Sequence, residues 1–498
     1  MPRAIIIGSG ISGLTSAVLL AEHGWQVTVL EAHAIAGGLM QRFRRGPFWF
    51  DTGFHFITGS PPGGIFRQLA QRLGILGDMH FLPLDQARQF RFHLPDGGEF
   101  AMPVGLAPAL RAVQARWPEQ AAGIGAFFTE LSGQLSSNPW LGGLVPPGTP
   151  PGTLDRHGSV ADALCRCGVS GLPADVIGSL AGILAMRPER CPLDLFAAFG
   201  GTAITGCWRA AGGGEAIIKP LLARLAGLGG SLLLNSAAER IHWQDKTVTA
   251  VEDVHARRHD CDLVIASCHP AEILRLTGDG GMRPSLCERI RDTPDSASAI
   301  LVYAALSQAP AALGSCHHFA RTRDDGDLYF IAPSNFHGLD SDAPGDSAAD
   351  SHADEQPYLE AMLWVGSEQV ADWRGSAKGR RAEAYEAWKR AREQEILAEV
   401  TALHPSLAGT VTRVWSASPL SIEHYVRSRR GGAMGLSHDI GHLGSEPIPR
   451  RNRLRNLCFA GQSAGHPGVV GCMISSVILC EAVLGFDLRS GILASSGR

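Results

Sequence analysis

The beginning of the chain alternates between continuous apolar runs and an apolar pattern of helical period. Residues 4–7 form a short apolar run, as expected for a parallel strand that is buried on both faces. Apolar side chains then recur at helical spacing from Ile11 until Gly24, and residues 27–30 form a second apolar run. The pattern predicts a strand, a turn, a helix and a second strand, which is how a doubly wound α/β sheet begins.

The predicted turn between the first strand and the helix has the glycine spacing G-x-G-x-x-G. Gly8 permits a tight turn, Gly10 lets the backbone approach a pyrophosphate, and Gly13 allows the helix to pack closely on the strand. Glu31 ends the second strand about 20 residues later, where a carboxylate can accept hydrogen bonds from ribose hydroxyls. An ordinary glycine turn would not explain the strands, the helix and the acid together. The segment predicts a dinucleotide site, and the carboxylate, which would repel the extra phosphate of NADP, leaves NAD or FAD.

Other segments continue this alternation along the chain. Residues 205–275 predict a helix followed by strands, and residues 456–485 predict a strand, a turn at Gly461-Gln462 and a helix from about Gly468. The remaining predicted elements are a hairpin at 89–103, helical segments at 107–135 and 378–403, a loop at 146–153 and an acidic loop at 340–357.

Two groups of motifs, one near each end of the chain, carry a resemblance to a known family. The doublet Gly37-Gly38 follows Glu31, and the sequence FDTGFH runs from Phe50 to His55. Residues 418–443 contain an SPL segment, expected as a strand, and the sequence GLSHDIGHL. These motifs resemble the flavoprotein superfamily of amine oxidases and phytoene desaturases, and in particular its branch of carotenoid isomerases and retinol saturases. Many relatives carry an arginine directly after the doublet, so Leu39 at that position disfavours the amine oxidases.

The resemblance implies that the nucleotide is FAD and that the fold is α/β. It implies a Rossmann-like FAD-binding domain of the amine-oxidase type with an inserted α+β substrate domain. The FAD-binding domain would comprise residues 1–75, 205–275 and 411–490, and the substrate domain residues 76–204 and 276–410, whose helices are candidates for facing a membrane or lipid. The residues implied to contact FAD are Gly8, Ser9, Gly10, Ile11, Ser12, Gly13, Glu31, Ala32, Gly37, Gly38, Leu39, Met40, Gly53, Phe54, Ile241, Gly461, Gln462, Gly468, Val469 and Val470.

His55 is the candidate catalytic residue, because the resemblance implies that its segment lies beside the isoalloxazine. A histidine there could donate a proton to a carbon skeleton or orient a substrate oxygen. The competing interpretation is a histidine packed between Phe54 and Phe56 with both nitrogens satisfied. Asp51 is expected to bond backbone or the ribityl chain rather than to transfer protons. Secondary candidates, each equally compatible with a structural role, are His424, Tyr425, Arg429 and His466.

The resemblance implies an FAD-dependent oxidoreductase that acts on conjugated carbon–carbon double bonds of an apolar polyene, by reduction, desaturation or isomerisation. NAD(P)H is a candidate electron donor. Three alternatives stay open. One is reductive cyclisation of a polyene polyketide, such as a polycyclic tetramate macrolactam, since the Ala, Gly and Arg richness suggests a high-GC bacterial source. The others are amine oxidation and a flavin-binding or prenyl-lipid carrier without turnover.

Composition narrows the remaining possibilities. The 498 residues are 45% hydrophobic and 18% charged, as expected for a globular protein with a large core, and the net charge of −4 gives no reason to expect nucleic acid binding. The 11 cysteines form no CxxC pair, and neither Cys165-Arg-Cys167 nor Cys316-His317-His318 has a second half at ligand spacing, so reduced cysteines and no metal are predicted. No secretory signal and no apolar run of about 18 residues is present, which predicts a cytoplasmic protein. An apolar substrate leaves contact with a membrane surface open.

Overall fold

Runs of strands and runs of helices follow one another along the chain. The computed structural model describes residues 1–145, 148–152, 158–323, 326–336, 356–444, 447–450 and 452–493. The strands are β1 (Arg3–Ile7), β2 (Gln26–Leu30), β3 (Arg42–Arg45), β4 (Phe48–Asp51), β5 (Ile57–Thr58), β6 (Phe81–Pro83), β7 (Phe90–His93), β8 (Glu99–Met102), β9 (Cys207–Ala210), β10 (Ser231–Leu233), β11 (Ala238–Gln244), β12 (Thr247–Asp253), β13 (Arg258–Asp260), β14 (Leu263–Ala266), β15 (Ser298–Leu306), β16 (His317–Arg321), β17 (Asp327–Ile331), β18 (Tyr358–Val365), β19 (Val411–Ala417) and β20 (Leu457–Phe459). The α-helices are α1 (Ile11–Glu22), α2 (Ile65–Arg72), α3 (Leu106–Arg116), α4 (Ala121–Ser137), α5 (Val160–Arg166), α6 (Leu172–Gly178), α7 (Leu193–Phe196), α8 (Thr202–Thr205), α9 (Glu215–Gly227), α10 (Pro270–Thr277), α11 (Pro284–Asp292), α12 (Glu383–Leu403), α13 (Pro419–Val426), α14 (Gly468–Leu484) and α15 (Arg489–Leu493).

The first of the two larger sheets has five parallel strands. Its strand order is β10-β2-β1-β14-β20, so segments from both ends and from the middle of the chain meet in one sheet. Ile6 packs on one face with α1 and α14, while Ile5 and Ile7 pack on the other face with β11, β12 and α10. Because both faces are covered, β1 and β14 are apolar throughout their centres, as the sequence predicted.

The second of the larger sheets has seven strands of mixed direction, in the order β19-β15-β18-β17-β16-β7-β8. All nine residues of β15 are buried. Ile300 and Val302 pack against the long helix α12, whereas the alternating residues Ala299 and Leu301 face the other way and line a cavity. The predicted hairpin is present as β7 and β8, which pair antiparallel at the edge of this sheet.

Several sequence predictions differ from the structure. Residues 411–417, which the sequence placed in the third piece of the FAD-binding domain, form β19 and pair with β15 in the seven-stranded sheet. The SPL segment is not a strand. Ser418 is the N-cap of α13, and Pro419 occupies the first helical position, where proline is favoured. The predicted helix at 107–135 is two helices, α3 and α4, separated at Trp117-Pro118.

Two predicted loops lie partly outside the described residues. The acidic segment 340–357 is described only at its last two positions, and the loop at 146–153 only at 148–152. No helix in the described part of the chain combines the length and the apolar character needed to cross a membrane. The 11 cysteines, all of which lie in described ranges, are free thiols.

Candidate functional site

A cavity of about 990 Å³ lies between the two sheets. The carboxyl ends of β1 and β2 and the start of α14 line one part, and β15, β17 and β18 line another. Parallel strands place the residues that follow them at a common edge of the sheet, and ligands of open α/β sheets bind there. The cavity therefore joins a predicted nucleotide site to the seven-stranded sheet.

The glycines of the first turn leave room for a ligand backbone at this edge. Gly8 has a φ of +100°, a conformation that side chains disfavour. A Cβ on Gly13 would lie 2.1 Å from the Gly8 carbonyl oxygen, so only glycine allows α1 to pack this closely. A Cβ on Gly10 would meet no protein atom within 4 Å, and Gly10 lines the cavity. A pyrophosphate thus fits beside Gly10 at the start of α1, where the helix dipole favours negative charge.

Glu31 lines the cavity with its carboxylate already oriented by the protein. Its Oε2 accepts hydrogen bonds from Ser9 N at 2.9 Å and Ser9 Oγ at 2.6 Å, and its Oε1 accepts one from His33 N at 2.7 Å. Each carboxylate oxygen can accept a further bond, so a ribose hydroxyl is compatible with this arrangement. Ser9 is fully buried and does not line the cavity, so it positions Glu31 instead of contacting a ligand.

Most of the residues predicted to contact FAD converge on this one cavity. Gly37 and Gly461 both have positive φ, at +116° and +94°, and Gly468 begins α14 at the cavity wall. The N-cap residue Pro467 makes no side-chain cap, Gly468 N donates to Gln462 Oε1 at 3.4 Å, and the helix dipole at this end favours negative charge. The predicted residues that line the cavity are Gly8, Gly10, Ile11, Ser12, Glu31, Ala32, Gly37, Gly38, Leu39, Met40, Gly53, Phe54, Gly461, Gln462, Gly468, Val469 and Val470.

Ile241, which the resemblance implied as an FAD contact, does not line the cavity. It is 2% exposed and packs in the core between the parallel sheet and β12. Ala237 and Ala238, at the start of β11, line the cavity in its place. Gly13 is also absent from the lining, because its contact with Gly8 is purely a packing contact.

His55 lies where the two parts of the cavity meet. Its side chain is 12% exposed, and its Nδ1 is 3.2 Å from Oε1 of Glu360, although the angle is not that of a hydrogen bond. Glu360 on β18 is fully buried, and neither of its carboxylate oxygens has a hydrogen-bond partner among the described residues. An isolated buried carboxylate is costly, so its position beside an ionisable ring indicates a functional pair.

Asp51 fixes the main chain around His55 and does not line the cavity. The fully buried carboxylate accepts hydrogen bonds from Arg209 NH2 at 2.5 Å and from Gly214 N at 3.0 Å. Arg209 NH1 also donates to the carbonyl oxygen of His55 at 2.9 Å. A Cβ on Gly213 would lie 2.2 Å from Asp51 Oδ1, so the glycines after β9 are needed to receive this acid. Asp51 therefore bonds backbone, as expected, and supports the candidate catalytic residue.

Two further polar side chains lie against His55. The ring of Tyr329 on β17 lies 5.1 Å from that of His55 and lines the cavity, and its hydroxyl bonds Nδ1 of His317. Burial raises the pKa of Tyr329 well above its usual value, with a smaller contribution from Glu360. Burial likewise lowers the pKa of His317 well below its usual value. Tyr329 and His317 are therefore both neutral near pH 7.

The secondary candidates separate clearly. Tyr425 lines the cavity, whereas His424, Arg429 and His466 do not. Arg429 donates to Asp295 Oδ2 at 2.9 Å and to the carbonyl oxygen of Thr293, a structural role.

The part of the cavity beyond His55 is predominantly apolar. Its walls come from the seven-stranded sheet and from the helical segment around α6, and they include Val176, Ile183, Ala299, Leu301, Phe319, Met362 and Trp364. Such a surface suits an apolar ligand.

Comparison with known proteins agrees with the motifs. A model of the NAD(P)-binding Rossmann-like domain matches residues 6–73. The chain is 23% identical to all-trans-retinol 13,14-reductase of Homo sapiens over 546 residues, covering 98% of this chain and 86% of that protein. It is 32% identical to the chloroplastic prolycopene isomerase 2 of an Oncidium hybrid cultivar over 127 residues, covering 26% of this chain and 22% of that protein. The predicted resemblance to retinol saturases and carotenoid isomerases is confirmed.

Solved structures share the fold of the whole chain. An oxidoreductase from Methanosarcina mazei matches with a TM-score of 0.68 at 14% identity, covering 96% of this chain and 100% of that one. Putrescine oxidase bound to putrescine matches with a TM-score of 0.66 at 16% identity, covering 97% and 99%. The predicted amine-oxidase-type α/β fold is confirmed.

Glu360 is the site residue that sequence reasoning missed. It lies in the otherwise apolar run YLEAMLWV, and a single acid in a strand with no polar alternation was the available signal. Its partner His55 is far away in sequence, so only the fold brings the two together.

Proposed function

We propose that the protein is an FAD-dependent oxidoreductase that reduces a conjugated carbon–carbon double bond of an apolar polyene. The observation that carries the proposal is the placement of His55, in contact with Glu360, between the glycine-lined and the apolar parts of one cavity. The relatives named for retinol and prolycopene support a polyene as the substrate class.

The chain's residues fit FAD at the glycine-lined part of the cavity. Gly10 gives access to the pyrophosphate, Glu31 accepts from the ribose, and the start of α14 suits the isoalloxazine. When bound, FAD supplies hydride transfer to the substrate. NAD(P)H is the proposed source of the electrons.

His55 supplies the proton in this proposal. Saturation of a double bond adds a hydride to one carbon and a proton to its neighbour. With Nδ1 facing Glu360, the proton leaves His55 from Nε2, and the ring is reprotonated from water after product release. Glu360 lies beside Nδ1, and Arg209 fixes the main chain by donating to the His55 carbonyl oxygen.

The alternatives share the cavity and differ in the product. Desaturation removes two hydrogens, isomerisation leaves the mass unchanged, and reductive cyclisation adds two hydrogens while a nucleophilic end of the substrate closes a ring. Amine oxidation is disfavoured by Leu39 at the cavity wall and by the apolar lining. A carrier without turnover would leave the flavin redox state unchanged on adding a polyene.

The experiment that tests the proposal is anaerobic reoxidation of the reduced His55→Ala protein by a polyene, with all-trans-retinol as the first probe. Loss of the general acid is expected to slow reoxidation about 10²–10⁴-fold while FAD stays bound. His242→Ala is a matched control, because His242 contacts Glu252 at 2.8 Å on β11 and β12, outside the cavity. Equal rates for the wild type and His55→Ala would contradict the assigned role.

A further inference from the structure

Three histidines from distant parts of the sequence meet behind the seven-stranded sheet. His93 ends β7, His318 lies in β16, and His404 follows α12. One ring nitrogen from each lies within 4.8 Å of the others. His318 is fully buried, His404 is 7% exposed, and the side chain of His93 is 8% exposed.

The hydrogen bonds of His318 determine its tautomer and leave the Nδ1 lone pair on the side of the other two rings. His318 Nε2 lies 2.9 Å from the carbonyl oxygen of Leu313, which can only accept, so Nε2 carries the hydrogen. His318 Nδ1 is therefore unprotonated and accepts a hydrogen bond at 3.1 Å from Nε2 of His93, whose hydrogen a metal ion would replace. Metal-binding histidines commonly donate their other N–H to a backbone carbonyl in this way.

The other two rings also have features of ligands. His404 Nε2 is buried and has no hydrogen-bond partner in the described part of the chain. Nδ1 of His93 lies 4.0 Å from the Glu99 carboxylate, which can orient the ring from behind. A buried ring nitrogen without a partner is costly, and a bound cation would remove that cost.

We propose that His93, His318 and His404 bind one transition-metal ion, with Zn²⁺ as the preferred occupant. Three imidazoles suit Zn²⁺, and they leave a fourth position of a tetrahedral ion for water. The ligands are 225 and 86 positions apart in sequence, which is why Cys316-His317-His318 has no second half at ligand spacing and the sequence predicted no metal.

The test is metal titration of the full chain, purified without a histidine tag and stripped with EDTA. Zn²⁺ is added in competition with a chromophoric chelator, and one equivalent is expected to bind. His404→Ala is expected to weaken binding at least about tenfold, by comparison with the ~10–100-fold losses from removing only outer-shell partners. The exposed His255 on the β12–β13 turn provides the control, and His255→Ala should bind as the wild type does.

A second measurement does not depend on the folding of a variant. Co²⁺ added to the stripped wild type is expected to give the visible bands of a tetrahedral site and to be displaced by Zn²⁺. Absence of stoichiometric Zn²⁺ binding and of these bands in the wild type would overturn the proposal, and so would equal affinity in a folded His404→Ala protein. The three rings would then be a structural cluster stacked around Phe330.

Discussion

At the scale of single residues, the candidate site depends on two buried acids with different surroundings. Asp51 is surrounded by donors from Arg209 and Gly214, which makes it a fixed anchor. Glu360 has only the nearby ring of His55 as a charge partner among the described residues. A fully satisfied carboxylate stabilises structure, whereas an unsatisfied one beside a cavity is available for chemistry.

Glu360→Gln is expected to slow polyene reduction without loss of FAD. The amide keeps the shape but removes the carboxylate from beside His55 Nδ1, so turnover should fall by no more than the ~10²–10⁴ expected for His55→Ala. Because neither oxygen of the buried Glu360 carboxylate has a hydrogen-bond partner among the described residues, the thermal unfolding midpoint should be unchanged or higher. Steady-state kinetics and thermal unfolding check both effects, and a fall in kcat with unchanged KM is expected. A lower unfolding midpoint with unchanged turnover would show that Glu360 is only structural.

Glu31→Gln is expected to weaken FAD binding. The amide turns a donor toward Ser9 or His33, and a charge-assisted ribose contact worth about 1.5–3 kcal/mol is lost. This corresponds to about ten- to a hundredfold weaker binding, measurable by equilibrium dialysis of flavin absorbance. Gly10→Val should weaken binding further, because its side chain fills the space open to the pyrophosphate. The control is Glu288→Gln, on the exposed face of α11. If the Glu31→Gln protein retained as much flavin as this control, Glu31 would not contact the ribose.

At the scale of elements, buried histidines make the fold sensitive to acid. Burial lowers the pKa of His93 to about 4, and it lowers the pKa values of His317 and His438 as well. The unfolded chain therefore binds more protons than the folded one below the usual histidine pKa of about 6.5. The contribution of these neutral histidines to the free energy of unfolding is complete above that pH and is lost as the pH falls toward 4.

The unfolding midpoint of the EDTA-treated protein is therefore expected to fall between pH 7 and pH 5. His93 alone accounts for on the order of 3 kcal/mol over its full titration. Carboxylates with lowered pKa, such as Glu22 and Asp253, act in the same direction but only at lower pH. Thermal unfolding at a series of pH values checks this, and His93→Gln should give a shallower dependence. A constant midpoint from pH 7 to pH 5 would contradict it.

The elements that the sequence predicted best are those whose signal is local. The apolar centres of β1, β2 and β14 and the glycine turns before α1 and α14 follow from short-range sterics and burial on both faces. The prediction of a strand at the SPL segment was wrong, because Ser418 is the N-cap of α13 and the helix begins at Pro419. The contacts of Glu360 with His55, and of His93 with His318 and His404, could not be predicted, since each joins residues whose neighbourhood only the pairing of distant strands creates.

At the scale of the whole molecule, the two larger sheets contribute different kinds of residues to the cavity. The parallel sheet presents glycine turns, an oriented acid and a helix start at one edge, and the mixed sheet presents apolar side chains from alternate positions of β15 and β18. Both sheets wall the same cavity, and His55 lies at their junction. In the proposed function, FAD and an apolar polyene would lie side by side in this cavity.

The most direct test of the central claim is the mass of the product after anaerobic mixing. The flavin of the wild type is reduced with NADH, NADPH or dithionite, oxygen is excluded, and all-trans-retinol or another conjugated polyene is added. Reduction of the double bond predicts that the oxidised flavin spectrum returns and that the product is two hydrogens heavier than the substrate. A product of unchanged mass or one two hydrogens lighter, or a flavin that stays reduced with every polyene offered, would contradict the account.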